Sequence, residues 1–307
     1  MLALLAPGQG SQTPGFLAPW LEEKSAADLV AHWSTVIDLD LVRLGTTADA
    51  DEIRDTANAQ PLLVAGGLIG AAALFHGDYS QISYVAGHSV GEITAAGFAG
   101  VLDFDSALRL VRARGVEMAK AAANSETGMS AVLGGERDLV VAALTALGLT
   151  AANENGAGQI VAAGPLSALA ALAENPPAGA RVRPLAVSGA FHTSVMTPAV
   201  GVLAELAQSL TATDPRIPLL SNKDGAVIDT GRAALDRIVG QIAGPVRWDL
   251  CMDTLAAMGV TGVIEVPPAG VLAGLVKRAQ PTIETFALKS PADLDAAREF
   301  VAKHGAN

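Results

Sequence analysis

The first third of the chain alternates short, wholly apolar runs with longer stretches in which apolar residues recur every three or four positions. That alternation predicts strands of a parallel sheet covered by helices on both faces. Leu2 to Ala6 and Ile82 to Ala86 are the clearest strands. The apolar run ending at Phe75 predicts a helix between them, with Pro61 suited to its first position. Further on, "TGVIEV" at 261–266 reads as another buried strand, and "GVLAGLVKRAQP" as a helix stopped by Pro281. "SPAD" announces a final helix, in which Ser290 caps, Pro291 sits first and Asp293 favours the positive helix end.

The rhythm changes between Glu126 and Val187. Strand "MSAVLG", a helix from Arg137 to Leu147, strands at 151–154 and 159–163, a helix from Leu166 to Glu174 and strand "ARVRPLAV" follow in the order βαββαβ. That is the split βαβ order of a ferredoxin-like unit. The expected fold is therefore α/β. A large α/β-hydrolase-like domain with a parallel-sheet core (1–125 and 188–307) carries an inserted small ferredoxin-like domain (126–187), with a cleft between them.

Length and composition narrow the chemistry. A chain of 307 residues can bury a substantial core without covalent staples, and its one cysteine, Cys251, excludes an intrachain disulfide or a multi-cysteine metal site. Between Leu250 and Met252 it reads as a small buried hydrophobe. The net charge of −11, spread along the chain, argues against nonspecific nucleic-acid binding. Met1 to Ala6 is too short for a secretory signal and stops at Pro7. The longest apolar run, Val64 to Phe75, spans 12 residues. A membrane crossing needs roughly 18. The expectation is a soluble cytoplasmic protein with no membrane or nucleic-acid partner.

Gly87-His88-Ser89-Val90-Gly91 is a G-x-S-x-G pattern, lying after a strand and before a helix of small residues. A serine on such a turn projects its hydroxyl outward, the glycines let backbone pass closely, and the helix N-terminus favours an anion formed there. A lone match is weak, and a helix cap remains the alternative. A serine nucleophile needs a base. Of five histidines, His192 in "SGAFHTSVMTP" is the best placed, since it follows the last strand of the proposed insert and borders the cleft. His32, His76 and His304 lie elsewhere, and His88 adjoins the serine at a turn where neighbours point apart.

Arg114 falls on the stripe formed by Ala107, Leu110, Val111 and Met118. A guanidinium facing the core needs a counter-charge, supplied either by a protein acid or by a substrate carboxylate.

"PGQGSQ" (7–12), "GHSVGE" (87–92), "RARG" (112–115), "GAFH" (189–192) and "PVRW" (245–248) occur together in this order. As a set they resemble the malonyl-CoA:acyl carrier protein transacylases of type II fatty acid synthesis, over essentially the whole chain. The resemblance implies Ser89 as nucleophile and His192 as base, with a carbonyl of Gln241 orienting the imidazole. It implies an oxyanion hole from the backbone N–H groups of Gln9 and Val90, and an Arg114 grip on the malonyl carboxylate. Gln60 and Asn153 or Asn155 would line the site, and Phe191 would disfavour an α-methyl branch. Malonyl would pass from coenzyme A to Ser89 and on to the phosphopantetheine thiol of acyl carrier protein, without metal or redox cofactor. A serine hydrolase shares the acyl-enzyme, and spacing alone does not separate the two. A noncatalytic acyl-binding subunit would be expected to have lost the serine or the histidine. Two features depart from the pattern. Pro267 in "EVPPAG" stands where the family favours glycine, and an acidic chain must meet acidic partners, for which a basic rim of Arg112, Arg181, Arg183, Lys277 and Arg278 is expected.

Overall fold

A computed structural model describes residues 1–187 and 189–305. Strand β1 (Leu2–Ala6) leads through α1 (Lys24–Val36), α2 (Leu41–Thr46) and α3 (Thr56–Phe75) to β2 (Ile82–Gly87), then α4 (Gly91–Phe98) and α5 (Phe104–Ala123). Next come β3 (Thr127–Gly134), α6 (Arg137–Ala146), β4 (Thr150–Glu154), β5 (Gln159–Pro165), α7 (Leu166–Glu174) and β6 (Ala180–Pro184). The remainder holds α8 (Thr197–Ser209), β7 (Leu219–Leu220), β8 (Val227–Ile228), α9 (Gly231–Gly240), β9 (Val246–Arg247) and α10 (Trp248–Ala257). It closes with β10 (Gly262–Glu265), α11 (Val271–Ala279), β11 (Glu284–Ala287) and α12 (Leu294–His304).

The fold is mixed α/β with two sheets. The first has the order β11-β10-β1-β2-β7-β8 and is parallel except for its last pair. All five residues of β1 are buried, as a central strand covered on both faces requires. The second sheet has the order β6-β3-β5-β4-β9, antiparallel until β9, which adds to β4 in parallel. The two sheets are tied by the "PVRW" segment. Asn153 and Glu154 pair with Val246 and Arg247, and Glu154 takes a two-pronged bond from Arg137 at 2.6 and 2.9 Å, with Arg247 Nε 3.6 Å away.

Three details differ from expectation. The helix α3 begins at Thr56, so Pro61 lies inside it. Proline cannot donate to the carbonyl four residues back. That carbonyl, on Ala57, accepts instead from Arg112 at 3.0 Å. Arg112 is thereby half-buried and removed from the expected basic rim. With its added first turn, α3 is 20 residues long and apolar enough by length and composition to cross a membrane, but 83% of its apolar window is buried within this fold. The fourth and last strand of the βαββαβ run, β6, ends at Pro184, short of Val187, and the expected boundary at Ser188 lies outside the described residues.

Pro267 also has a clear place. A Cβ on Gly70 would lie 2.3 Å from Pro267 Cδ, so a glycine on α3 leaves the groove into which the proline packs. Just before it, buried Glu265 accepts the N–H groups of Gly270, Leu272 and Ala273, anchoring the start of α11 beside the cavity described below. Cys251 is fully buried, and burial raises its thiol pKa.

Candidate active site

At the end of β2 the chain turns through Ser89, whose φ of +55° places it in the left-handed region. A non-glycine residue there costs about 1–2 kcal/mol, so surrounding structure must enforce it. Packing and hydrogen bonds both do so. A Cβ on Gly87 would sit 2.0 Å from the Gly91 carbonyl carbon, and one on Gly91 would sit 2.2 Å from the Ala6 oxygen. The glycines of "GHSVG" are thus steric requirements of the turn. Asn222, after β7, clasps it by accepting the Ser89 N–H at 2.7 Å and donating to the Gly87 carbonyl at 2.8 Å.

His192 is brought to this turn from 103 positions away and also has a positive φ, +62°. Its Nε2 lies 2.7 Å from Ser89 Oγ, while Nδ1 lies 2.9 Å from the Gln241 carbonyl. A carbonyl can only accept, so Nδ1 carries the proton and the Nε2 lone pair faces the hydroxyl. Burial first, and Arg114 second, depress the imidazole to about 3, which keeps it neutral and ready to accept.

Arg114, on the buried face of α5, is 1% exposed. Its Nη1 donates to Gln60 Oε1 at 2.8 Å, and its Nη2 to Gln241 Oε1 at 3.1 Å and to Ser89 Oγ at 3.2 Å. Burial lowers its pKa to about 10, with Glu92 acting against the shift, so it remains a cation at neutral pH. Among the described residues no carboxylate lies within salt-bridge distance of it. Glu92 is reached only through the Gln241 amide.

Ser89, His192 and Gln60 line a cavity of about 280 Å³ between the two sheets, and buried Arg114 is joined to it through Ser89 Oγ and Gln60. The first sheet's connections supply Gln9, Gln60, His88, Ser89, Phe191 and His192, and the second sheet supplies Met129, Asn153, Asn155 and Val161. Phe191 is buried in the wall, and Asn155 Oδ1 lies 2.9 Å from His88 Nε2. His88 lines the same cavity as Ser89, but its ring is engaged with Asn155, and the Ser89 hydroxyl pairs with His192 instead. Among the described residues, the backbone N–H groups of Gln9 and Val90 have no protein acceptor.

The acyl transferase domain family matches residues 4–291. A malonyl CoA-acyl carrier protein transacylase from Mycobacterium tuberculosis is 54% identical over 96% of this chain and 98% of its own. The chain belongs to the malonyl CoA-acyl carrier protein transacylase family. The Escherichia coli K12 transacylase is 35% identical over 97% of this chain and 99% of its own. The crystal structure of the Mycobacterium tuberculosis MCAT superposes with a TM-score of 0.92 at 52% identity, covering 97% and 99% of the two chains. A malonyl-transacylase solved in complex with its type II PKS acyl-carrier protein superposes at 0.91, with 30% identity and coverage of 97% and 99%.

In this member of the transacylase family, Glu92, the last residue of "GHSVGE", and Asn222 join the site although the sequence reading assigns a role to neither. Glu92 is 2% exposed and Asn222 fully buried. The signals were present. A carboxylate opens an otherwise apolar, small-residue helix in "GEITAAGF", and an asparagine follows the buried pair Leu219-Leu220 in "LLSN". Burial pushes the Glu92 pKa upward while the Asn222 N–H and Arg114 pull it down, and because both its oxygens already accept N–H donors, the hydrogen-bond pattern is that of the ionised carboxylate.

Proposed function

We propose that Ser89 is the nucleophile and His192 the base of a two-step malonyl transfer from coenzyme A to acyl carrier protein. One observation carries the reading: the Ser89 hydroxyl, on the cavity wall, is shared between a neutral imidazole nitrogen at 2.7 Å and a guanidinium nitrogen at 3.2 Å. As Ser89 Oγ attacks the thioester carbon, its proton passes to His192 Nε2. The oxyanion is received by the Gln9 and Val90 N–H groups, each such donor contributing about 3 to 4 kcal/mol in related chemistry. Collapse breaks the carbon–sulfur bond, expels the coenzyme A thiolate, returns the proton to it from the imidazole and leaves malonyl-Ser89. The carrier's phosphopantetheine thiol then runs the same steps in reverse. Gln241 orients the imidazole through its carbonyl, Arg114 holds the malonyl carboxylate, and Gln60 holds Arg114. Phe191 narrows the space beside the α-carbon, and Asn155 holds His88 at the cavity wall.

Residues 1–125 and 188–307 form one α/β-hydrolase-like domain, and 126–187 form a ferredoxin-like insert. The support is the β6-β3-β5-β4 order produced by a βαββαβ run. Arg181 and Arg183 on edge strand β6, with Lys277 and Arg278 at the end of α11, are exposed and suit an acidic carrier protein, and a cytoplasmic setting suits coenzyme A thioesters. The discriminating experiment follows the acyl group from malonyl-CoA with holo carrier protein present. Malonyl on the phosphopantetheine thiol in step with coenzyme A release is expected, and release as free malonate would favour a serine hydrolase.

A further inference from the structure

The Gln241 and Asn222 contacts around Ser89 and Arg114 lead back to the Glu92 carboxylate. Its Oε1 accepts the Asn222 N–H at 2.6 Å, and its Oε2 accepts the side-chain NH2 of Gln241. A carboxylate only accepts, so Gln241 must turn its NH2 toward Glu92, which leaves Gln241 Oε1 facing Arg114 Nη2 at 3.1 Å. Arg114 only donates, so the opposite amide orientation would set two donors face to face. The same NH2 also reaches Asn222 Oδ1 at 3.0 Å, the atom that accepts the Ser89 N–H. Glu92 at one end and Arg114 at the other thus fix the direction of the Gln241 amide that links α4 to the guanidinium.

We infer that Glu92 is a positioning residue for malonyl selectivity: its carboxylate fixes the Gln241 side-chain amide, and through it holds the Arg114 guanidinium at Ser89, where the acyl carboxylate must sit. This rests on the proposed function. Glu92→Gln is nearly isosteric but brings an NH2 into a cluster that lacks a spare acceptor, so an amide must turn and Arg114 Nη2 loses Gln241 Oε1, leaving the guanidinium only its bonds to Gln60 and Ser89. The His192 contacts do not run through the Gln241 side chain, because the imidazole is held by the Gln241 backbone carbonyl. Selectivity should therefore fall further than nucleophilicity.

The test measures kcat and KM for malonyl-CoA and acetyl-CoA, with holo carrier protein as acceptor, in wild type, Glu92→Gln and Glu92→Asp. The rate of Ser89 labelling by a small uncharged fluorophosphonate is measured alongside. In Glu92→Gln the malonyl-to-acetyl ratio of kcat/KM is expected to fall about tenfold or more, with labelling within about threefold of wild type. Glu92→Asp keeps an acceptor-only group and is expected to recover most of the ratio. Equal losses for the two thioesters, an unchanged ratio, or the same collapse in Glu92→Asp would overturn the inference. If Glu92→Gln does not fold, the Glu92→Asp ratio decides alone, retained selectivity supporting the inference and lost selectivity contradicting it. A wild type that never transfers malonyl would contradict the proposed function instead.

Discussion

The two sheets build the cavity by different physics. On the parallel side, the position of Ser89 is dictated by backbone contact: neither Gly87 nor Gly91 has room for a methyl group, and the turn between them is held in a left-handed conformation. On the other side, β4 and β5 offer side chains across an open space and are tied to the rest by a β9 pairing and the Arg137–Glu154–Arg247 chain. The difference teaches where tolerance lies. The Ser89 turn sits on the side that cannot yield, and the facing wall of Met129, Asn153 and Val161 sits on the side held by a short strand pairing and side-chain bonds.

Substitutions should fall into that order. Gly91→Ala, whose Cβ would lie 2.2 Å from a backbone oxygen, should be the most damaging, with a Tm several degrees lower and acylation reduced by a hundredfold or more on the order of an oxyanion-hole loss. A near-normal Gly91→Ala enzyme would break the claim that the parallel side is unyielding. Arg114→Ala comes next. Malonyl transfer should fall about ten- to a hundredfold more than acetyl transfer, because only malonyl carries the carboxylate, and proportional losses would contradict the grip. Arg247→Ala, which loosens the tie between the sheets, should raise KM for malonyl-CoA by about three- to tenfold with little change in kcat. A kcat effect as large as that of Gly91→Ala would show that the two sides are not separable.

A pH experiment sharpens the same contrast. The folded-state value of His192, about 3, lies below its ordinary 6.5. The stability gained by keeping it neutral is complete above 6.5 and is lost as pH falls toward 3. Between about pH 6.5 and 4.5, the Tm of wild type should therefore decline relative to His192→Asn. Over that range the wild-type single-turnover acylation rate should stay nearly flat, since the base remains unprotonated. An acylation rate that titrates near 6.5 would place His192 in contact with solvent.

Much of this architecture was legible beforehand, for identifiable reasons. Short unbroken apolar runs and period-3.6 patterns carry buried strands and helices directly, so β1, β2, α5 and the βαββαβ run emerged with small errors at their ends. Ser89 was visible because a tight strand-to-helix turn demands glycines at fixed spacing, and Arg114 because a cation on an apolar stripe needs a reason. Pro61 misled because proline reads as a helix start, and nothing local shows that Arg112, 51 positions later, will take the carbonyl it leaves free. Glu92 and Asn222 escaped for a related cause. Their importance lies in contacts spanning 130 and 133 positions, and pattern reading sees a charged residue near a helix start as ordinary.

The most direct measurement is the intact mass of the protein after brief exposure to malonyl-CoA, made on wild type and Ser89→Ala. A single malonyl adduct on wild type, mapped to Ser89 and absent from the variant, is the predicted result. An adduct of equal yield on both proteins would move the nucleophile away from the turn and contradict the account.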